Sequence, residues 1–407
     1  MDRHKPDFLL LFTVLCLLGF GLVMVYSAGM VNAVLVLNQS PSYYFTHQVI
    51  SAVLGIALMF VMMRVPFTVL KKSAKGITIA TIISLILVFV PGIGHSAQGV
   101  RRWIGPVSLH LQPSEFALVG VLIYLAHIYD KNASFTSRFS RGVVPPLIVV
   151  GGLFLLIIKE PDMGTGMLLL LSGLAVMFAA GIRKSHFTLL LMSLVPVVIA
   201  FILMKGYRSR RLSAFLHSGG YQIKESLIAI NNGGLFGKGL GQGIQSYGFL
   251  PVPEADFIFS IIVEELGLIG AALMLGAFGF LVWRGIKIGL GLPNRFASLL
   301  AIGISCMIGI GVLINVCSAT GLIPITGIPL PFISYGGTAL VVKLGAMGIL
   351  LSLSRYTIEP MEAARSREQL SNIRPFTAAS ANGVSQRRPK RKPAAASRMS
   401  TTQTRKG

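Results

Sequence analysis

The segment Leu250-Pro251-Val252-Pro253-Glu254-Ala255-Asp256-Phe257-Ile258-Phe259 puts a carboxylate, Asp256, where a proline-stiffened loop meets a long apolar run. A partly desolvated carboxylate within hydrogen-bond reach of a hydroxyl can take its proton and turn it into a nucleophile. An aspartate at this place can also do no more than cap the helix that follows, whose dipole favours negative charge. Cations suited to an anionic partner flank it. Arg208, Arg210, Arg211, Lys224 and Lys238 precede it within residues 206–256, and Arg101 and Arg102 stand beside Trp103 in Gly99–Gly105. The guanidinium fork matches phosphate oxygens, and tryptophan settles at the level of lipid headgroups.

Other polar groups lie within or beside apolar sequence. Glu264 and Glu265 follow Asp256 on what should be one helix, about 12–14 Å further along at 1.5 Å per residue. Lys343 stands well inside the last apolar run. Charges at such depth are costly unless they face a cavity or a partner, so a buried pair between Lys343 and one of these glutamates is expected. Glu115 ends the motif Gln112-Pro113-Ser114-Glu115, and Glu160-Pro161-Asp162-Met163-Gly164-Thr165-Gly166 interrupts two apolar runs. The segment Gly321–Gly337, which includes Ser334, holds three prolines and four glycines and predicts a re-entrant or packed loop.

The elements that must position these groups are membrane helices. The 407 residues are 53% hydrophobic and only 12% charged, where soluble domains carry about a quarter charged residues. Stretches near 8–28, 47–64, 76–92, 115–130, 144–158, 163–181, 187–205, 257–283, 297–322 and 338–354 are each close to the roughly 20 residues a spanning helix needs. The expected fold is an all-α polytopic membrane protein of about ten spans, residues 1–355, with an extracytoplasmic loop over 206–256. The first run has no small-residue cleavage site after it and reads as a retained helix. Lys and Arg gather in alternate loops, which predicts both termini in the cytoplasm. The cations of the 95–112 and 206–256 loops break that trend and point to a phosphate-bearing ligand, although long loops translocate whatever their charge. Cys16, Cys306 and Cys317 are expected to pack between helices, with no disulfide framework.

The glycine-rich stretch from Gly233 to Gly243 is not a nucleotide P-loop, since Lys238 is followed by Gly239 and position 232 is Asn. Residues 356–407 turn to Ser, Ala, Pro, Lys and Arg, including Arg387-Arg388-Pro389-Lys390-Arg391-Lys392, and are expected to be a disordered basic cytoplasmic tail. The basic balance of +22 therefore argues for membrane lipids and not for nucleic acid.

Together these motifs closely resemble the SEDS family (shape, elongation, division and sporulation) of FtsW/RodA/SpoVE type, over about residues 8–356. The likeness rests on Arg101-Arg102-Trp103-Ile104, Gln112-Pro113-Ser114-Glu115, Pro161-Asp162-Met163-Gly164-Thr165, Gly233-Gly234-Leu235-Phe236-Gly237-Lys238-Gly239, Asp256-Phe257-Ile258-Phe259, Glu264-Glu265-Leu266-Gly267 and Gly321–Gly337. It implies an inverting peptidoglycan glycosyltransferase that polymerises lipid II at the outer face of the bacterial cytoplasmic membrane, with Asp256 as catalytic base. It also implies substrate contacts from Arg101, Arg102, Trp103, Glu115, Arg210, Arg211, Lys238 and Ser334, with Glu264, Glu265 and Lys343 as structural polar residues. The implied partners are lipid II, undecaprenyl diphosphate-linked glycan, a class B penicillin-binding protein and division or sporulation proteins. A divalent cation, magnesium or manganese, would suit the diphosphate, but no ligand cluster demands one.

The chain departs from the family pattern at Leu118, where relatives usually carry Lys, at Glu225, where they carry Gln, and across Val252–Ala255. Two other functions fit the residues. A lipid flippase or transporter would use Glu264, Glu265 and Lys343 as gating charges. A non-catalytic scaffold would only activate a transpeptidase.

Overall fold

Capping residues and prolines set where the helices begin. The computed structural model describes residues 4–97, 100–105, 111–132, 136, 138–203 and 220–357. Helix α1 (Phe8–Leu35) opens on Asp7, whose side chain accepts from the Leu10 amide at 3.1 Å. Helices α2 (Tyr43–Arg64) and α3 (Phe67–Leu87) follow, the latter entered through Pro66. A hairpin of β1 (Gly94–Ala97) and β2 (Val100–Ile104) pairs His95 with Trp103 and leads to α4 (Pro113–Lys131), which has proline in its first turn. A π-helical turn over Phe139–Val143 runs into α5 (Val144–Lys159). Helix α6 (Met163–Ala179) is capped by Asp162, and α7 (Lys184–Leu203) holds Pro196 in its interior. Then come α8 (Gly220–Gly233), α9 (Ile258–Leu290), α10 (Arg295–Ala319, capped by Asn294) and α11 (Gly337–Ser354).

Each of the ten expected apolar stretches overlaps a helix. By length and composition, six described segments can cross a membrane: Phe8–Leu35, Tyr43–Arg64, Phe139–Lys159, Ile258–Leu290, Arg295–Ala319 and Gly337–Ser354. Met163–Ala179 is a shorter apolar helix. The chain is a multi-pass membrane protein whose apolar interior joins nearly every helix, with α2 and α11 in close contact. Hairpin β1–β2 and the amphipathic α8, which sits against α9 and α10 through a Ser226 hydroxyl bond to the Ala319 carbonyl at 2.6 Å, are additions to the expected plan. Cys16 departs from it, being exposed on α1. The tail beyond residue 357 lies outside the described residues.

The loops meet in two groups at opposite ends of the bundle. At one end Asp7 pairs with Arg284 at 2.6 Å, Lys71 with Asp130 at 2.6 Å, and Arg295 donates to the Ala180 carbonyl at 2.8 Å. At the other, the β2 hairpin, the Glu160–Asp162 turn, the loop before α9 and the Gly321–Gly337 segment interlock, as detailed below.

Helix α9 is broken at Gly267, which has φ 72° and would drive a Cβ into the Leu235 carbonyl oxygen. The glycine-rich loop fills the break with main-chain hydrogen bonds. Amides of Lys238 and Gly239 donate to the carbonyls of Glu264 and Glu265 at 2.9 Å each, while amides of Leu268 and Ile269 donate to Gly234 and Leu235 at 3.0 and 3.2 Å. Backbone groups freed within a membrane helix need such partners. Gly237, at φ +80°, packs so tightly on the Glu265 carbonyl that no side chain fits there.

Candidate active site

The loop carrying Asp256 is held by four elements: α1, α2, α10 and the Gly321–Gly337 segment. The Asp256 carbonyl accepts from Asn315 Nδ2 of α10 at 3.2 Å, and the same amide donates to Ile328 at 2.8 Å. The Ser334 hydroxyl donates to the Ala255 carbonyl at 2.7 Å and accepts from the Leu330 amide at 2.8 Å. The Tyr335 amide donates to the Glu254 carbonyl at 2.9 Å. Glu254, 1% exposed, receives Asn32 Nδ2 of α1 at 3.1 Å on each carboxylate oxygen. Gln48 of α2 donates to the Ser334 carbonyl at 3.0 Å, and Tyr44 of α2 packs edge-on against Tyr335. Burial raises the pKa of Glu254; bonds from the backbone, Asn32 and Tyr44 oppose this, and the neighbouring Asp256 adds to it.

Asp256 itself is partly exposed, beside Gly327, where a Cβ would come 3.7 Å from its Oδ2. The helix-cap alternative is not what the chain adopts. The N-cap of α9 is Phe257, whose own side chain makes no capping bond.

Helix lengths set the depth of the site. Counting about 20 residues, the hydrocarbon thickness, outward from the Asp7–Arg284 pair reaches Ser27 on α1 and Glu264 on α9. These two counts agree, because Ser27 Oγ donates to Glu265 at 2.6 Å. Counting about 20 residues up α11 from Ser354, whose hydroxyl accepts the Asp7 amide, reaches Ser334, which is bonded to the Ala255 carbonyl, so Asp256 as well as Glu264 and Glu265 lies near the outer edge of the hydrocarbon.

The expected pairing of Lys343 with Glu264 or Glu265 is not what forms. Lys343 Nζ of α11 is 3.7 Å from Glu115 Oε2 of α4, with both side chains buried. Glu264 instead accepts the amides of Ile244 and Gln245 at 3.0 and 3.2 Å, and Lys238 Nζ lies 3.9 Å from it. Glu115 is thus an internal ion-pair partner. Ser334 is likewise consumed by loop bracing. Arg102 turns inward, its Nε donating to the Glu160 carbonyl at 3.2 Å and its guanidinium also to the Pro161 carbonyl. Arg101 is exposed, Trp103 and Lys238 are partly so, and Arg210 and Arg211 lie outside the described residues. Asn32, Gln48 and Asn315, which hold the loop, are absent from the expected site.

The turn between α5 and α6 adds a second acidic pair. Asp162 accepts from Thr165 N at 3.1 Å and Gln112 Nε2 at 2.9 Å. Glu160 is fully buried, and neither carboxyl oxygen has a hydrogen-bond partner among the described residues. Burial chiefly, with Asp162 adding and Arg102 opposing, pushes its pKa up to about 9. Between the ordinary value of 4.5 and about 9 the folded chain holds a proton that the unfolded chain has lost. Stability should then fall as pH rises through that window, by at most about 1.4 kcal/mol per pH unit. Glu160→Gln should flatten this dependence, raising the melting temperature at pH 8–9 relative to wild type with little change at pH 5. Parallel melting curves in detergent would refute the buried neutral acid.

The chain matches the family model described as cell cycle protein, FtsW/RodA/SpoVE, over residues 8–359. It is 41% identical over 361 residues to stage V sporulation protein E of Bacillus subtilis (strain 168), covering 87% of this chain and 98% of that one. It is 37% identical to the probable peptidoglycan glycosyltransferase FtsW of Geobacter sulfurreducens (strain DL-1 / KN400), covering 87% and 96%. Among solved structures it resembles the rod shape determining protein RodA of Thermus thermophilus, with TM-score 0.66 and 26% identity over 87% of this chain and 98% of that one. A chain from work on the coordination of polymerization and crosslinking by a peptidoglycan synthase complex matches with TM-score 0.71 and 25% identity, covering 86% and 98%.

Proposed function

Because the chain belongs to the FtsW/RodA/SpoVE family, we propose that it is a peptidoglycan glycosyltransferase that polymerises lipid II outside the cytoplasmic membrane, with Asp256 as general base. The observation that carries this reading is the setting of Asp256: a partly exposed carboxylate near the outer edge of the hydrocarbon, in a braced loop one residue before the N-cap of α9. Asp256 takes the proton of a sugar hydroxyl while that oxygen attacks the anomeric carbon of a second lipid-linked sugar. The carbon–oxygen bond to the diphosphate breaks on the opposite face, inverting the centre. The diphosphate leaves as a stable anion, so the second carboxylic acid of glycosidases is unnecessary. Arg101, Lys238, Arg210 and Arg211 are the cations proposed to meet it, and Trp103 the headgroup-level contact. Among the described residues no group of three or more His, Cys, Asp or Glu forms a metal site. Magnesium or manganese is tested as an additive.

Gating charges for a flippase are not supported. Glu264, Glu265 and Lys343 each have an internal partner. Both termini are assigned to the cytoplasm on the charge pattern, and a class B penicillin-binding protein is the proposed transpeptidase partner. The test is a purified full-length chain given lipid II in detergent and in vesicles, with and without magnesium or manganese. Glycan polymer is the expected product. Labelled lipid II crossing the bilayer without polymer would replace this reading with a transporter.

A further inference from the structure

The loop that carries Asp256 holds a second carboxyl, Glu254, which takes no part in the proton transfer itself. It lies two residues earlier, so the two Cα atoms are at most about 7 Å apart, and the Ala255 amide, donating to the Val252 carbonyl at 3.2 Å, bends the chain between them. Unlike Asp256, Glu254 is 1% exposed. Its hydrogen-bond partners are donors. Asn32 Nδ2 of α1 reaches both carboxylate oxygens at 3.1 Å, and the Tyr44 hydroxyl of α2 bonds to the same group. Donors aimed at both oxygens favour the ionised form and oppose the cost of burying it.

A counter-charge is missing. The titratable groups that face Glu254 are Tyr44 of α2, Tyr335 of the Gly321–Gly337 segment and Asp256, with Tyr43 behind the two tyrosines. Helices α1 and α10 present only the amides of Asn32 and Asn315 to this loop. Among the described residues no Lys, Arg or His forms an ion pair with Glu254. An uncompensated charge in such a pocket acts on its neighbour with little screening. That neighbour is Asp256, and each carboxylate makes the other harder to ionise. An ordinary aspartate, near 3.9, is a feeble base for a sugar hydroxyl, and lifting it towards working pH improves it. We propose that Glu254 is a positioning residue of the reaction, whose buried and fixed negative charge makes Asp256 a stronger acceptor for the proton of the attacking sugar. The inference rests on the glycosyltransferase reading above and names what tunes its base.

The carboxyl infrared bands of the purified full-length chain, made with carbon-13 aspartate so that glutamates do not contribute, test this without turnover. Subtracting the spectra of Asp256→Asn isolates the titration of residue 256. Glu254→Gln, which keeps the size and an acceptor for Asn32, should move the midpoint about one unit to lower pH. Glu254→Asp keeps the charge and should stay closer to wild type. Tyr44→Phe removes one donor to the anion, keeps the ring against Tyr335, and should move the midpoint part of the way down; it decides alone if the Gln chain does not fold. An unchanged midpoint in folded Glu254→Gln, or an equal shift in Glu254→Asp, overturns the proposal. In polymerisation assays the acid limb of the pH–rate profile should follow the midpoint, and the plateau should fall severalfold because a weaker base takes the proton less readily. A residue that only braces the loop would lower the rate at every pH and leave limb and midpoint in place, which also overturns it. Polymerisation with unshifted midpoints sinks the role of Glu254 alone. Shifted midpoints in a chain that never polymerises keep the coupled pair and sink the glycosyltransferase reading.

Discussion

Asp256→Asn is expected to lower glycan polymerisation by 10²-fold to 10⁴-fold or more, the range lost with a general base, while the melting temperature stays within a few degrees of wild type. The amide has the carboxylate's shape but cannot hold the proton. The bond from Asn315 survives, because it holds the backbone carbonyl of residue 256. Helix α9 loses nothing either, since its cap is Phe257. Glu254 cannot substitute, being 1% exposed and engaged by Asn32. Rates with purified protein, read beside thermal melting, check this. Retention of full activity in a folded Asn variant would remove the base from Asp256 altogether.

Lys343→Met should give the largest loss of stability, about 3–5 kcal/mol, the cost of stranding a buried charge. Lys343 and Glu115 are 3% and 4% exposed at 3.7 Å, joining α11 to α4 in the bundle centre. With Leu at 118, the cation that reaches Glu115 comes from α11. Adding Glu115→Gln to Lys343→Met removes the orphaned carboxylate and should recover most of the loss. Reversing the pair with Glu115→Lys and Lys343→Glu should recover part. The combination of Lys343→Glu with Glu264→Lys should rescue nothing, because Glu264 binds loop amides at the membrane edge. Expression and melting temperature in detergent report all four, and rescue by the last combination would reinstate the pairing that Glu115 displaces.

That displacement shows where reading the sequence reaches its limit. Apolar length gives a helix and approximate depth, so the helical plan and the outward position of Asp256 are legible from composition and charge. It does not give rotation about the helix axis, and direction decides whether Lys343 meets Glu115 on α4 or a glutamate on α9. Arg102 and Ser334 show the same limit. Each has the chemistry to bind a ligand, yet each is used by backbone groups a long way off in sequence. The loop inserted into α9 is also hidden, since its bonds are main-chain and carry no residue signature beyond glycine. Gln48 and Asn315 were detectable in principle, as lone amides in apolar helices need partners.

The carboxylate at position 256 is hung like a pendant from cords tied to α1, α2 and α10, with Asn32, Gln48 and Asn315 as knots. Its height and aim thus register the tilt of three helices at once. A neighbouring membrane protein that leaned on any of them would shift that carboxylate without touching it.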